Sequence, residues 1–358
     1  MEKYIHAFWH IEGTCYIVLE KIWNYFGDFR EGWEKASGRD LERAGLNPEY
    51  AAAVMRGREK IDLDAAMEKL WSADIFPVSR SSREYPKEFG GIDKAPFMIY
   101  RKGANLSGFA RKIGIVGMRK SSTMGEKMAY NLAKVLAGQG VVTVSGLAFG
   151  IDAAAHSGAV AANAPTIGIL ASGIGNITPR SHYALAQKIL GCGGSIISEY
   201  PVTFPILKYQ FLERNRLISA LSDTVIIVEA AQRSGALITA RCALEQGKNV
   251  LAFPGEAGRV QSKGCNNLIK NGEAHLVDCI ADVQMHLKLE SSFQKARHSQ
   301  MGMLEQKIIE FMRDGAGTVE ELLTKMDEGI AEILSTISIL EVDGIISKEA
   351  DGKLVLRG

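Results

Sequence analysis

The 358-residue chain is poor in cysteine, with five: Cys15, Cys192, Cys242, Cys265 and Cys279. The count is odd and no pair has C-x-x-C spacing, which argues against a disulfide framework and a zinc site. Small thiols in a reducing compartment are the expected reading, with no bound metal. The chain also lacks an excess of charge. It carries 42 Lys and Arg against 41 Asp and Glu, a formal net charge of +1. Affinity for nucleic acid would therefore have to come from a local basic patch. No apolar run approaches the ~20 residues needed to span a bilayer. The opening MEKYIHAFWHIEG has no signal-peptide core, so a cytoplasmic protein without membrane contact is expected. What is present is 46% hydrophobic and 23% charged residues, enough for a real core and about two or three domains.

The pattern changes along the chain. Residues 1–72 read as a small helical domain: Leu19, Ile22, Trp23 and Phe26 recur at helical spacing, Gly27 stands where a C-cap belongs, and Asn47-Pro48 opens another helix. Residues 73–112 look extended at Ile75 to Val78 and at Phe97 to Tyr100, with Pro77, Pro86 and Pro96 as helix breakers. They are expected to be a connector packed on the next domain. From Lys112 to about Ile280, apolar strands alternate with helices: Ile113–Val116, Val141–Val144, Ile167–Leu170, Ser195–Ile197, Val225–Val228 and Val250–Phe253. Continuous apolar strands between helices predict a parallel sheet covered on both faces. Ligands of such sheets bind outside the carboxyl ends of the strands, so the loops there hold the candidate residues. Residues 281–300 are polar and read as a linker. Residues 301–358 give three helices, the second opening on a Thr318–Glu321 capping box, and then a hairpin at Ile345–Ser347 and Leu354–Leu356.

Five loop segments carry possible chemistry. Gly117 to Gly125, with Arg119 and Lys120, leads from a strand into a helix near Gly125, whose free N–H groups suit an anion. Ser145 to His156 places Gly146 and Gly150 before a helix beginning near Asp152, a good N-cap residue. A Ser145–His156 nucleophile pair lacks both the G-x-S-x-G elbow and a third member. Gly173 and Gly175 are only a fragment of a dinucleotide fingerprint, on the wrong strand, so no cofactor is expected. Lys208-Tyr-Gln-Phe211-Leu-Glu-Arg214-Asn215-Arg216 interleaves cations with aromatic rings. That combination suits single-stranded nucleic acid, since cations hold phosphates while rings stack on bases; a core Phe beside surface ion pairs is the other reading. Finally, Glu229 to Thr239 contains Arg233 and opens a helix at Ser234-Gly235, another phosphate-type N-terminus. Glu229 is a carboxylate base or, better, an orienting group for Arg233 or an arginine of the preceding segment.

The runs Ser145-Gly-Leu-Ala-Phe-Gly-Ile-Asp-Ala-Ala-Ala-His156, Arg214-Asn-Arg216, Ser234-Gly-Ala-Leu-Ile-Thr-Ala240, Pro254-Gly255 and Gly264-Cys-Asn-Asn-Leu-Ile269 occur in the order and spacing of one family. Over about 113–278 the chain resembles the DprA (Smf) family of bacterial DNA-processing proteins. That resemblance implies an α/β fold: a Rossmann-like parallel sheet core, an N-terminal small helical (SAM/HhH-like) domain and a C-terminal winged-helix domain. The corresponding bounds are 1–72, 73–280, a linker over 281–300, and 301–358. It implies a non-enzymatic, sequence-independent binder of single-stranded DNA that protects incoming strands in natural transformation, loads the RecA recombinase and pairs as a homodimer through its cores. Arg119 falls on the family's G-S-R arginine; Phe211, Arg214 and Arg216 fall on its F-P-x-R-N-R segment; Ser234 and Gly235 fall on its S-G pair. The DNA-contacting set is then Gly117, Arg119, Lys120, Ser145, Gly146, Lys208, Phe211, Arg214, Asn215, Arg216, Arg233, Ser234, Gly235 and Thr239, with Glu229 and Asp152 orienting. Met118 replaces the usual Ser of G-S-R and Leu212 the usual Pro.

Two other classes remain to be weighed. A nucleotide phosphoribohydrolase of the LOG type, on a related core, would use Glu229 as its catalytic carboxylate, although the P-G-G-x-G-T-x-x-E motif is missing. A pure scaffold acting through the C-terminal domain would bind no nucleic acid. Between Thr318 and Ile345 there are seven acidic residues and one lysine. Such a helix would meet phosphates with like charge, so that domain is expected to bind protein rather than DNA.

Overall fold

The computed structural model describes residues 1–289, 302–313, 315, 317–326, 328–342, 346–348 and 353–356. They fall into two compact units, residues 1–283 and 284–358.

The first unit opens with six helices: α1 Glu2–Trp9, α2 Tyr16–Phe26, α3 Phe29–Glu34, α4 Gly38–Arg43, α5 Pro48–Lys60 and α6 Leu63–Ser72. Their ends follow local chemistry. Gly27 closes α2 in the left-handed region (φ 69°), its N–H bonding to Trp23 O. Asn47 caps α5 by accepting from Tyr50 N, with Pro48 at the first position. The strands β1 Phe76–Ser79 and β2 Met98–Gly103 come next. They are not a connector. Both join the main sheet, β1 antiparallel to β2 and β2 antiparallel to a later strand. Local sequence gave their extended form but not this long-range pairing.

Strand and helix then alternate: β3 Arg111–Val116, α7 Thr123–Ala137, β4 Val141–Ser145, α8 Ile151–Ala161, β5 Thr166–Leu170, α9 Tyr183–Gly191, β6 Ser195–Ser198, α10 Gln210–Leu221, β7 Thr224–Ile227, α11 Gly235–Glu245, β8 Asn249–Ala252, α12 Lys263–Lys270, β9 His275–Leu276 and α13 Ile280–His286. The nine-stranded sheet has the order β1-β2-β6-β5-β4-β3-β7-β8-β9. From β6 to β9 every neighbouring pair is parallel. The chain builds outward from β3 through β4, β5 and β6, then returns to the other side of β3 for β7. The junction of β3 with β7 is thus a topological switch point.

One face of the sheet is covered by α10, α11 and α12: Leu217, Ile218, Leu221, Ala236 and Ala240 pack with Val116, Val144, Ile167, Ile169 and Val250. Each such buried Val, Leu or Ile side chain contributes roughly 1.5–3 kcal/mol. The N-terminal helices share a core with the sheet, because Ile5, Phe8, Trp9 and Trp33 cluster with Tyr100, Leu170, Ile189 and Tyr200.

The second unit holds α14 Met303–Arg313, α15 Val319–Lys325, α16 Ile330–Val342 and the antiparallel strands β10 Ile346–Lys348 and β11 Leu354–Leu356. Ile308, Leu322, Ile333, Ile337, Ile346 and Leu354 form its core, and Thr318 and Glu321 form the expected capping box. The stretch expected to be a linker begins inside α13, where Val283 is buried; its part from 290 to 300 lies outside the described residues, as does Ile345. No helix among the described residues is long and apolar enough to cross a membrane.

Candidate functional site

At the switch point the loops after β3 and β7 part, and a crevice opens between them. Their roots are tied together: Val228 N donates to Val116 O, and Met118 N donates to Glu229 O at 2.8 Å. Above them lies a cavity of about 390 Å³. Its walls come from Gly117, Met118, Arg119 and Lys120 of the first loop, from Ala231, Arg233, Ser234, Gly235, Ala236 and Thr239 around the start of α11, from Phe211, Leu212, Arg214, Asn215 and Ile218 of α10, and from Ala148 and Asp152. Arg119, Lys120 and Arg233 are exposed, and none of them has an ion pair among the described residues. The Arg119 guanidinium lies over the Phe211 ring, 4.7 Å from its centre, a cation–π geometry. Ser234 caps α11 through Ala236 N, and Asn215 Nδ2 fixes the first turn by donating to Gly235 O at 3.2 Å. A Cβ at Gly235 would meet no protein atom within 4 Å, so the space over this helix end is open to a ligand.

Arg214 forms the floor. It is only 4% exposed; its Nη1 donates to Gly146 O at 2.6 Å and to Ile169 O, and its Nε to Asn215 Oδ1. The guanidinium lies so close to Gly146 that a Cβ there would stand 2.4 Å from both terminal nitrogens. Gly146 N in turn donates to Asp152 Oδ2. Burial raises the Asp152 carboxyl above its usual value, with the Arg214 charge opposing. Burial likewise pushes the Arg214 guanidinium down to about 10, which leaves it a cation at neutral pH. Arg214 therefore supplies positive charge from beneath the cavity instead of reaching out of it.

Residues 77–288 match the family described as DNA recombination-mediator protein A. The chain belongs to that family. Protein Smf of Escherichia coli is 34% identical over 326 residues, 88% of this chain and 87% of that protein. DNA processing protein DprA of Streptococcus pneumoniae is 38% identical over 270 residues, 68% of this chain and 94% of that protein. Among solved structures, DNA processing protein A from S. pneumoniae superposes with a TM-score of 0.67 at 32% identity, covering 81% of this chain and 99% of that one. DNA processing protein A from Helicobacter pylori, a structure describing that protein's single-stranded DNA binding mode, gives 0.54 at 31% identity, covering 60% and 95%.

In this recombination-mediator family member, the cavity gathers Gly117, Arg119, Lys120, Phe211, Arg214, Asn215, Arg233, Ser234, Gly235 and Thr239. Four expected contacts lie elsewhere. Ser145 is buried, donating from Oγ to Ile115 O. Gly146 sits behind Arg214 and leaves room for the guanidinium. Lys208 is exposed before α10 begins and is outside the cavity lining. Arg216 is two positions from Arg214 and so points away from it around the helix; its Nη2 binds both oxygens of Glu199, at 2.8 and 2.6 Å. Helical periodicity instead puts Phe211, Arg214, Asn215 and Ile218 on one face, and that spacing is the signal by which the apolar wall residue Ile218 was readable.

Of the two residues expected to orient the site, Asp152 holds Gly146 N, whose carbonyl accepts from Arg214, but its expected capping role and the expected partner of Glu229 differ. Asp152 is not a helix cap: Gly150 holds that place with φ 73°, and Asp152 lies inside α8. Glu229 orients neither Arg233 nor an α10 arginine. Its Oε2 accepts from Ser122 N at 2.8 Å and from Ser122 Oγ at 3.0 Å, while Oε1 lies 3.4 Å from Arg259. Helix α7 starts at Thr123, not Gly125, and the anion at its N-terminus is this internal carboxylate. Glu229 borders a separate cavity of about 370 Å³ with Met124, Met128, Phe253 and Arg259; sequence reading missed Arg259, which lies far from it along the chain. His156 and Ser145 form no catalytic pair, since His156 Nδ1 bonds Thr166 Oγ1 at 2.8 Å.

Proposed function

We propose that this protein binds single-stranded DNA in the switch-point crevice, without sequence preference and without chemistry, as a mediator of recombination in natural transformation. The observation that carries this reading is the set of cations without an ion pair among the described residues, Arg119, Lys120 and Arg233, around a ring and an open helix N-terminus. A flexible polyanion fits such a rim: cations and backbone N–H groups meet phosphates, which carry no sequence information, and Phe211 offers a face on which any base stacks. Family membership and the Helicobacter relative's single-stranded DNA binding mode point the same way. Loading of a RecA-type recombinase, pairing of two copies through their Rossmann-like cores and a cytoplasmic setting belong to the same reading. So does a C-terminal winged helix that meets protein; its acidic helices support that role.

The non-enzymatic part rests on Glu229. A catalytic carboxylate needs a free oxygen facing its substrate, whereas this one gives Oε2 to Ser122 N and Oγ, lies with Oε1 near Arg259, and stands outside the lining of the switch-point cavity, bordering the separate cavity beside Arg259. Fluorescence anisotropy with a labelled single-stranded oligonucleotide tests the proposal, with duplex of the same sequence as competitor and base release from nucleoside monophosphates as a parallel assay. The expected result is salt-sensitive binding of the single strand that duplex displaces poorly, and no base release. Absence of single-strand binding, or turnover lost in Glu229→Gln, contradicts it.

A further inference from the structure

A third cavity, of about 450 Å³, lies among α1, the α5–α6 junction, α6 and the segment after β6. The site described above does not use it. Two lysines, Lys60 and Lys69, stand on its wall. Both are exposed, and neither has a carboxylate partner among the described residues. The acid lining the cavity, Asp62, caps α6: its Oδ1 accepts from Asp64 N and Ala65 N, each at 3.0 Å. The remaining wall is largely apolar, from Ile61, Ala66, Leu70, Pro201 and Val202.

Behind this wall runs a hydrogen-bonded chain. Tyr100 is fully buried, and its hydroxyl lies 2.8 Å from His6 Nδ1. A buried hydroxyl has to donate somewhere, so Tyr100 O–H donates to His6 Nδ1. That places the His6 proton on Nε2, which donates to His10 Nε2 at 3.2 Å. His10 then carries its proton on Nδ1, and His10 is exposed at the cavity. The chain thus fixes His10 as a donor in a cavity whose lining it shares with Lys60 and Lys69.

We propose that this cavity binds a small organic oxyanion, a phosphate or carboxylate carried on an apolar body, with its charge between Lys60, Lys69 and His10 Nδ1. The volume lies in the range of small-ligand sites, and an apolar wall with a few convergent donors is their usual composition. Charge-assisted bonds to two unpaired ammonium groups supply the selectivity.

The test is NMR observation of the histidine ring signals of the full chain, titrated separately with phenyl phosphate, benzoate, inorganic phosphate and phenol. Phenyl phosphate or benzoate should shift the His10 signals saturably, with a Kd of about 1 mM or tighter; whichever binds better identifies the head group. Inorganic phosphate, lacking the apolar body, should bind at least about tenfold more weakly, and phenol should not saturate. Lys60→Ala with Lys69→Ala should weaken binding by about tenfold or more, while Lys60→Arg with Lys69→Arg retains it and both pairs leave single-stranded DNA binding intact. The proposal is overturned if neither phenyl phosphate nor benzoate gives a saturable His10 shift below about 10 mM, if phenol binds as well as phenyl phosphate, or if the alanine pair binds like the parent.

Discussion

The Arg119 guanidinium sits over the Phe211 ring, 4.7 Å from its centre, at the mouth of the switch-point cavity. Arg119 comes from the loop after β3 and Phe211 from the first turn of α10, so this contact joins the cationic wall to the aromatic one. An arginine so placed has no carboxylate partner among the described residues and is free to meet an anion at the cavity mouth.

The ring and the cations should therefore separate in their effects. Phe211→Ala should raise the Kd for single-stranded DNA by an amount corresponding to about 1–3 kcal/mol, the value of one stacked base. The salt dependence should not change, because no charge is removed. Anisotropy titrations at several salt concentrations check both.

Gly146 should prove to be a packing residue. A Cβ there falls 2.4 Å from the Arg214 guanidinium, which its bonds to Gly146 O and Ile169 O hold in place. Gly146→Ala is expected to destabilise the fold by about 1–3 kcal/mol through overpacking, read from urea unfolding. A variant as stable as the parent would show that the guanidinium moves freely.

Glu229 should behave as a structural anion. Glu229→Ala removes the acceptor of Ser122 N and Oγ and the partner of Arg259. Stability should fall by about 2–4 kcal/mol, the scale of lost charge-assisted bonds at a buried site, while Glu229→Gln, which keeps an acceptor for Ser122, should lose less. Urea unfolding of both variants checks the order.

Acid should weaken the fold through two histidines. Burial lowers His6 to about 4 and His156 to about 3, against roughly 6.5 in an unfolded chain. Between those values the unfolded state binds more protons, so stability falls as pH drops. Their contribution is complete above about pH 6.5 and is lost progressively toward pH 3–4. The fall in melting temperature from pH 7 to pH 5 should be smaller in His156→Gln than in the parent. An equal or larger fall in the variant would mean that His156 is not held neutral.

Much of the site could be read from sequence because parallel sheets put ligands at strand carboxyl ends, and Arg119, Arg233 and Ser234 each follow an apolar strand. Ser145 and Gly146 satisfy the same rule yet are packed inward, because the buried guanidinium of Arg214 comes from 68 residues further along the chain. The partner of Glu229 was hidden for a related reason: Ser122 is 107 residues away, adjacent only once β7 pairs with β3. The edge strands β1 and β2 were readable as extended segments, but pairing with β6 is a non-local choice that the stretch 73–112 does not encode by itself. Arg214 and Arg216 were both expected at the site; helical periodicity along α10, which separates them, is the signal that would have told them apart.

Salt dependence is the most direct measure of a phosphate grip. For single strands, log K falls against log salt with a slope of about −0.7 per neutralised phosphate. Removing the free cations Arg119 and Arg233 together by alanine should weaken binding of all sequences alike and make the slope shallower by about 0.7 to 1.4. Affinity and slope both unchanged in that double variant would contradict binding of single-stranded DNA at the switch-point crevice.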